Sequence, residues 1–297
     1  MGVMPGVAFV VNGSLVRGGG HFLALCADAA ARYGWRAEFL VTDKAEAGVA
    51  AASSAALDEV DLVVAVGGDG TVRGCAEGLA RTGVPLGLVP HGTANLLART
   101  LLIPRHPKAA LALALGRGGV DRAIDLAVAD EEVPFTAMAG MGLDAAVVGG
   151  TRLKHQFGWL AYAMSGAVHL ALPPAGFSIR LDDGAPVERE ARSVVVGNSG
   201  LLPGGFSLLP DALLDDGMLD VGVLAPSGPL GWARLATRVL RNSRHEDRML
   251  ERFRARKVEI TARAPLPREV DGELVTAGHS LTVTVQPGAL TVRMPRL

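Results

Sequence analysis

Leu62-Val63-Val64-Ala65-Val66-Gly67-Gly68-Asp69-Gly70-Thr71 decides how the rest of the chain is read. A short apolar run entered after Asp61 is the pattern of a buried strand. Glycines then turn the chain, and the residues after them predict a helix over 72–81. Glycine lets a backbone approach a phosphate with no Cβ in the way. A helix start offers free N–H groups and a partial positive charge. Asp69 is poorly suited to touching phosphate and better suited to holding Mg²⁺, a water or another polar group. A tight strand-to-helix turn with an Asp cap is the plainer reading of the same residues.

Moving outward, residues 7–11 and 37–41 read as strands, and 21–33 and 44–57 as helices. Residues 86–89 form a fourth strand running into Pro90-His91-Gly92-Thr93, with a helix starting near Asn95. This βαβα rhythm predicts a parallel sheet with helices on both faces. After Asp125 the pattern changes to strand-like runs at 135–139, 177–181, 193–196, 219–224, 258–261, 281–285 and 290–294. Turn residues punctuate them, and helix-like inserts fall near 157–172 and 229–242. The expected fold class is α/β, with an N-terminal parallel-sheet αβα domain over 1–125. A mainly antiparallel β-sandwich follows over 126–297, its last strand returning to the first domain.

The chain has 297 residues, 49% hydrophobic and 20% charged, which excludes a disordered composition. Twenty-nine basic against 30 acidic residues give a net charge of −1. No global field draws such a chain onto nucleic acid, so no nucleic-acid partner is expected, and membrane contact must come from a local patch. Cys26 and Cys75 lack a metal-ligand spacing and read as small buried hydrophobes. The N-terminal residues lack the pattern of a signal peptide. The longest apolar stretch, 159–172, is too short to span a bilayer. A cytoplasmic protein, peripheral to the membrane at most, is expected.

Gly67-Gly68-Asp69-Gly70-Thr71 resembles the signature shared by diacylglycerol, sphingosine and NAD kinases. The resemblance implies ATP phosphate binding by this loop, with Mg²⁺. Neither a Walker A loop nor a dinucleotide fingerprint is present. Gly92-Thr93-Ala94-Asn95 is similar to a diacylglycerol kinase element that places Thr93 and Asn95 by the nucleotide; a plain helix cap is the competing reading. Asn12, at the end of the first strand, and Thr42, at the end of the second, match nucleotide-side positions of that family; a Thr42 cap on the helix from Lys44 is the equal competitor. Arg122 to Leu126 resembles its domain crossing. Ala139 to Ala145 is similar to a further family segment, and Lys154, Gly158 and Ala161-Tyr162 to the stretch after it. Pro210 to Leu219 is similar to an element that holds a structural Mg²⁺, which points to Asp216 with the carbonyls of Leu213 and Met218. An Asp-Asp-Gly turn explains those residues equally well.

Asp271-Gly272-Glu273 resembles the family element whose aspartate is the general base, with Glu273 supporting it. As bare sequence, Asp-Gly is also a strong hairpin signal. Catalysis is thus expected at Asp271, Glu273 and Asp69, and Asp271→Ala is expected to fold and lose phosphorylation.

The sequence departs from the family pattern at Gly13, where proline is usual, at Arg73 and Gly74, where Asn-Glu is usual, and at Leu96, where Asp is usual. The resemblance implies an ATP-dependent kinase for a lipid hydroxyl, foremost diacylglycerol, with peripheral membrane contact and a homodimer. An NAD kinase-like enzyme and a catalytically weak nucleotide- or lipid-binding regulator are the rival readings. Arg152, Lys154 and His155 beside 157–159 are a candidate interfacial patch.

Overall fold

The computed structural model describes residues 4–17, 21–42, 48–142, 174–202, 205–245 and 247–296. They form two compact units, Met1–Ile124 with Gly288–Leu297, and Asp125–Pro287.

In the first unit, β1 (Gly6–Asn12), β2 (Arg36–Thr42), β3 (Leu62–Gly67) and β4 (Leu86–Pro90) are parallel, in the order β4-β3-β1-β2. Val7 pairs with Leu62 and Val63 with Leu86. β3 is buried at every position, as expected for a parallel strand covered on both faces. Each helix turns one small apolar face inward at helical spacing. In α2 (His21–Tyr33) the buried residues are Cys26, Ala29 and Ala30, and in α3 (Val49–Leu57) Ala52 and Ala55. In α4 (Asp69–Leu79) they include Val72, Cys75, Ala76 and Leu79. A short α1 (Gly13–Arg17) follows β1, and α5 (Leu96–Thr100) follows β4. β5 (Gly119–Ala129) leads out of this unit, and the end of β14 (Glu273–Pro295) returns to it. There Val292 pairs in parallel with Leu86, and Arg293 binds Asp121 at 2.7 and 2.8 Å while lying 5.8 Å above the Trp35 ring.

Two expectations are corrected here, and one helix is added. α4 starts at Asp69 rather than Val72, so the glycine-rich string is half strand end and half first helical turn. α3 starts at Val49, and residues 43–47 lie outside the described set. α6 (Pro107–Leu115) was not read from sequence, because its Ala-Leu alternation carries no clear helical stripe.

In the second unit the strands are antiparallel. β7 (Met138–Gly142), β10 (Ser193–Gly197), β11 (Leu219–Leu224) and β12 (Leu250–Ala255) run in the order β12-β11-β10-β7, with β13 (Lys257–Val270) beyond β7. β8 (Ala175–Leu181) pairs with β13 and with β9 (Val187–Ala191), an edge strand whose charged exposed residues hid it from pattern reading.

β13 serves both layers. Its first half pairs with β8 and its last three residues pair with β7, with register shifts between Thr261 and Arg268. Bulges of this kind let one strand pass between sheets. Val194, Val196, Val221 and Val223 meet Phe177, Ile179, Val258 and Ile260 in the core between the layers. The outer face is covered by α7 (Gly228–Leu240), whose Trp232, Leu235 and Val239 pack with Val195, Leu224 and Leu250. Burial on both faces explains why β10 and β11 read as unbroken apolar runs.

The expected strand at 135–139 is two strands, β6 (Val133–Phe135) and β7, broken at Thr136 and Ala137. The expected helix at 157–172, the segments at 143–145 and 154–162, and the patch at 152–159 lie outside the described residues. Among the described residues no helix is long and apolar enough to cross a membrane.

Candidate functional site

The nucleotide-side residues proposed from sequence gather at the carboxyl ends of the first unit's parallel strands. Progress along that sheet reverses between β1 and β3, and open α/β sheets bind ligands at such a switch point. Asn12 and Thr42 are register partners there. The Asn12 side chain crosses to the first turn of α4, donating to Thr71 Oγ1 at 3.4 Å. Its Oδ1 accepts the Ser14 N–H at 3.0 Å. Thr42 is buried, and its hydroxyl donates to the Val11 carbonyl at 3.4 Å.

Gly67 and Gly92 are spatially required. A Cβ on Gly67 would sit 2.4 Å from Thr71 Oγ1, and one on Gly92 would sit 2.6 Å from Gly68 Cα. The loops therefore lie against each other, joined by the His91 N–H to the Gly67 carbonyl at 2.7 Å. Gly68 is extended and caps α4 with no side-chain hydrogen bond. The first helical bond is from the Val72 N–H to the Gly68 carbonyl, at 3.1 Å. The N–H groups of Asp69, Gly70 and Thr71 precede it, at the positive end of the helix dipole. This is the chemistry of an anion cradle, and it fits nucleotide phosphates.

Asp69 does not point its charge into that cradle. Its Oδ2 accepts the Asn95 N–H at 2.8 Å and its Oδ1 the Leu96 N–H at 2.6 Å, which caps α5. Asn95 is buried, with φ 49°, and its amide closes on Gly92 at 2.9 and 2.7 Å. Asn95 thus shapes the loop from inside, whereas Thr93 is exposed at its tip.

In the second unit, Asp271 and Gly272 form the corner between β13 and β14, with φ 48° and 80°. Val270 and Glu273 pair across it. Two successive positive φ values belong to a type I′ hairpin, so the turn reading is realised. The carboxylate has a second task. Oδ2 accepts from the Thr136 N–H at 3.0 Å and the Thr136 hydroxyl at 3.4 Å. Oδ1 accepts the Ala137 and Met138 N–H groups at 2.9 and 3.1 Å. These bonds break the 135–139 run, because the backbone turns its donors to the carboxylate instead of to a neighbouring strand. Glu273 stands exposed at the first position of β14.

The cation site expected at Leu213, Asp216 and Met218 is arranged otherwise. Asp216 Oδ1 accepts the Met218 N–H at 3.0 Å, and Oδ2 is bound by the Arg254 guanidinium. Arg254 Nε also lies 3.7 Å from Asp220 Oδ1. Asp125 is buried and takes the Gly217 N–H on Oδ2 at 2.6 Å, fixing the Asp-Asp-Gly turn. Leu213 is exposed. With Arg254 supplying the positive charge, this set does not fit a resident divalent ion. Burial pushes the Asp220 carboxyl up to about 6, with Arg254 opposing and Asp216 reinforcing the shift. Sequence reading missed Arg254 because it lies 38 residues from Asp216. Cys26 and Cys75 are buried free thiols, each pushed up to about 12 by burial, and inert.

Comparison with known proteins agrees with this geometry. The diacylglycerol kinase catalytic domain matches residues 7–129, and the YegS C-terminal NAD kinase beta sandwich-like domain matches 137–294. A "Probable lipid kinase YegS-like" of Pseudomonas fluorescens is 36% identical over 241 residues, covering 78% of this chain and 77% of that protein. The "Diacylglycerol kinase" of Bacillus subtilis is 34% identical over 230 residues, covering 75% and 74%. In fold, a crystal structure from Bacillus anthracis str. Sterne assigned as a diacylglycerol kinase superposes with TM-score 0.84 at 24% identity, covering 100% of this chain and 97% of that one. The NAD kinase of Archaeoglobus fulgidus in complex with ATP gives 0.53 at 15% identity, covering 98% and 93%.

Fold and matches together define a lipid kinase. Within that class the chain belongs to the YegS-like family that carries the diacylglycerol kinase catalytic domain.

Proposed function

We propose that the chain transfers the γ-phosphoryl of ATP to the hydroxyl of diacylglycerol. The observation that carries this reading is the uncapped α4 start over closely packed glycines, at the switch point of the sheet. The N–H groups of Asp69, Gly70 and Thr71 hold the nucleotide phosphates, with Mg²⁺ as their counter-ion. Asn12, at the end of β1, ties that strand to Thr71 in the first turn of α4. Asp69 acts as a positioning residue, because its carboxylate is spent on α5.

Asp271 takes the proton of the acceptor hydroxyl as the new O–P bond forms and the bond to the leaving diphosphate breaks. Its Oδ2 does so by giving up the 3.4 Å bond to the Thr136 hydroxyl, which is longer than its 3.0 Å bond to the Thr136 N–H. The backbone bonds on Oδ1 keep the group aimed meanwhile. Diacylglycerol as the acceptor is supported by the B. subtilis relative.

The test is transfer from γ-labelled ATP to a panel of diacylglycerol, a sphingoid base, an inositol lipid and NAD. Label in phosphatidic acid is the expected result. Label in NADP alone would overturn the lipid reading. ATP binding without transfer to any acceptor would leave a regulator.

A further inference from the structure

We infer that the outward face of α7 docks on an anionic phospholipid surface, an inference that rests on the lipid kinase reading. The helix is two-faced. Trp232, Leu235 and Val239 are buried in the cluster that also contains Met138. The other face carries Leu230, 64% exposed, and Leu240, 42% exposed, at either end. Ala233, Arg234 and Thr237 lie exposed between them, and exposed Arg241, Arg244 and His245 follow.

Residues 228–245 hold four arginines and no carboxylate, with Glu246 and Asp247 directly after them. Arg238 is held by Asp247 at 2.7 Å, and Arg244 by Asp211 at 2.8 Å. Arg234 and Arg241 are left facing solvent. Ten residues of helix separate the two leucines by about 15 Å along the axis and about 80° around it, so both lie on the outward face.

Exposed leucine among arginines is poorly matched to water and well matched to a headgroup layer. The leucines enter the acyl boundary, and guanidinium groups bind lipid phosphates. Charge complementarity selects the occupant. A second copy of the same face would set arginine against arginine, while an anionic bilayer attracts each one.

The placement also serves the reaction. Met138, in the cluster beneath α7, donates its N–H to Asp271 Oδ1 and accepts the Asp271 N–H at 2.8 Å. The docking helix and the proposed base thus share one layer of the second unit.

The experiment is co-sedimentation of the full chain with vesicles of phosphatidylcholine alone, or with about one third phosphatidylglycerol. The wild type should sediment with the anionic vesicles only, and salt should release it. Arg234→Glu with Arg241→Glu, and separately Leu230→Ser with Leu240→Ser, should each lower partitioning about ten-fold or more. Both variants should phosphorylate short-chain diacylglycerol in detergent micelles at the wild-type rate, which separates docking from chemistry. Failure of every protein in micelles, with sedimentation behaving as stated, would refute the kinase reading and leave the docking face standing. Variants that sediment like the wild type, equal binding to neutral vesicles, or a wild-type dimer lost in the arginine variant would each overturn the docking face.

Discussion

Asp69 in the α/β unit and Asp271 in the β unit solve one problem at different cost. Each carboxylate gathers backbone N–H groups that no strand or helix partner can take. Asp69 accepts two, at the start of α5, and so leaves the start of α4 open for an anion. Asp271 accepts three, from Thr136, Ala137 and Met138, and also carries a hairpin corner. An acidic residue in a kinase motif is therefore not automatically a metal ligand or a base. Its first duty in both units is to hold backbone in place, and the chemistry proposed for Asp271 draws on the oxygen that also makes the long bond to the Thr136 hydroxyl.

That contrast can be broken by removing each carboxylate. Asp271→Ala strands three buried donors and should destabilise the protein by about 3 kcal/mol or more. Asp69→Ala strands two and should destabilise it by about 2 kcal/mol. Denaturant melts of both variants check the order, and a reversed order would show that the local counts do not govern stability.

Asp220 sharpens the comparison from the opposite side, as a buried carboxylate whose Oδ2 has no hydrogen-bond partner among the described residues. Its folded pKa is raised from 3.8 to about 6, chiefly by burial. The folded state therefore binds its proton more tightly than the unfolded chain does. The group's penalty is absent below its ordinary range, grows as pH rises toward 6, and is full above that. Asp220→Asn should raise Tm at pH near 8 by a few degrees and leave it nearly unchanged well below the ordinary carboxylate range. An equal shift at both pH values would contradict this account.

Much of the fold was legible in the sequence because its strands announce themselves. The runs at 62–66 and 219–224 are buried on both faces, and the glycines after β3 have steric reasons to be there. The site was legible as a set of positions and less so as a set of roles. That Asn95 closes on Gly92, that Asp271 breaks 135–139, and that Arg254 occupies Asp216 are contacts between distant parts of the chain. No local propensity encodes them. The start of α4 was misplaced because Asp-Gly-Thr is a poor helix sequence, and its position is fixed by the packing of Gly68 against Gly92.

The most direct measurement is the turnover number of Asp271→Asn with ATP and diacylglycerol micelles, taken beside its thermal melt. Asparagine keeps an acceptor for Ala137 and Met138 but cannot take a proton. The account predicts a folded protein that still binds ATP and has kcat lowered by about a thousand-fold. Wild-type turnover by that folded variant would contradict it.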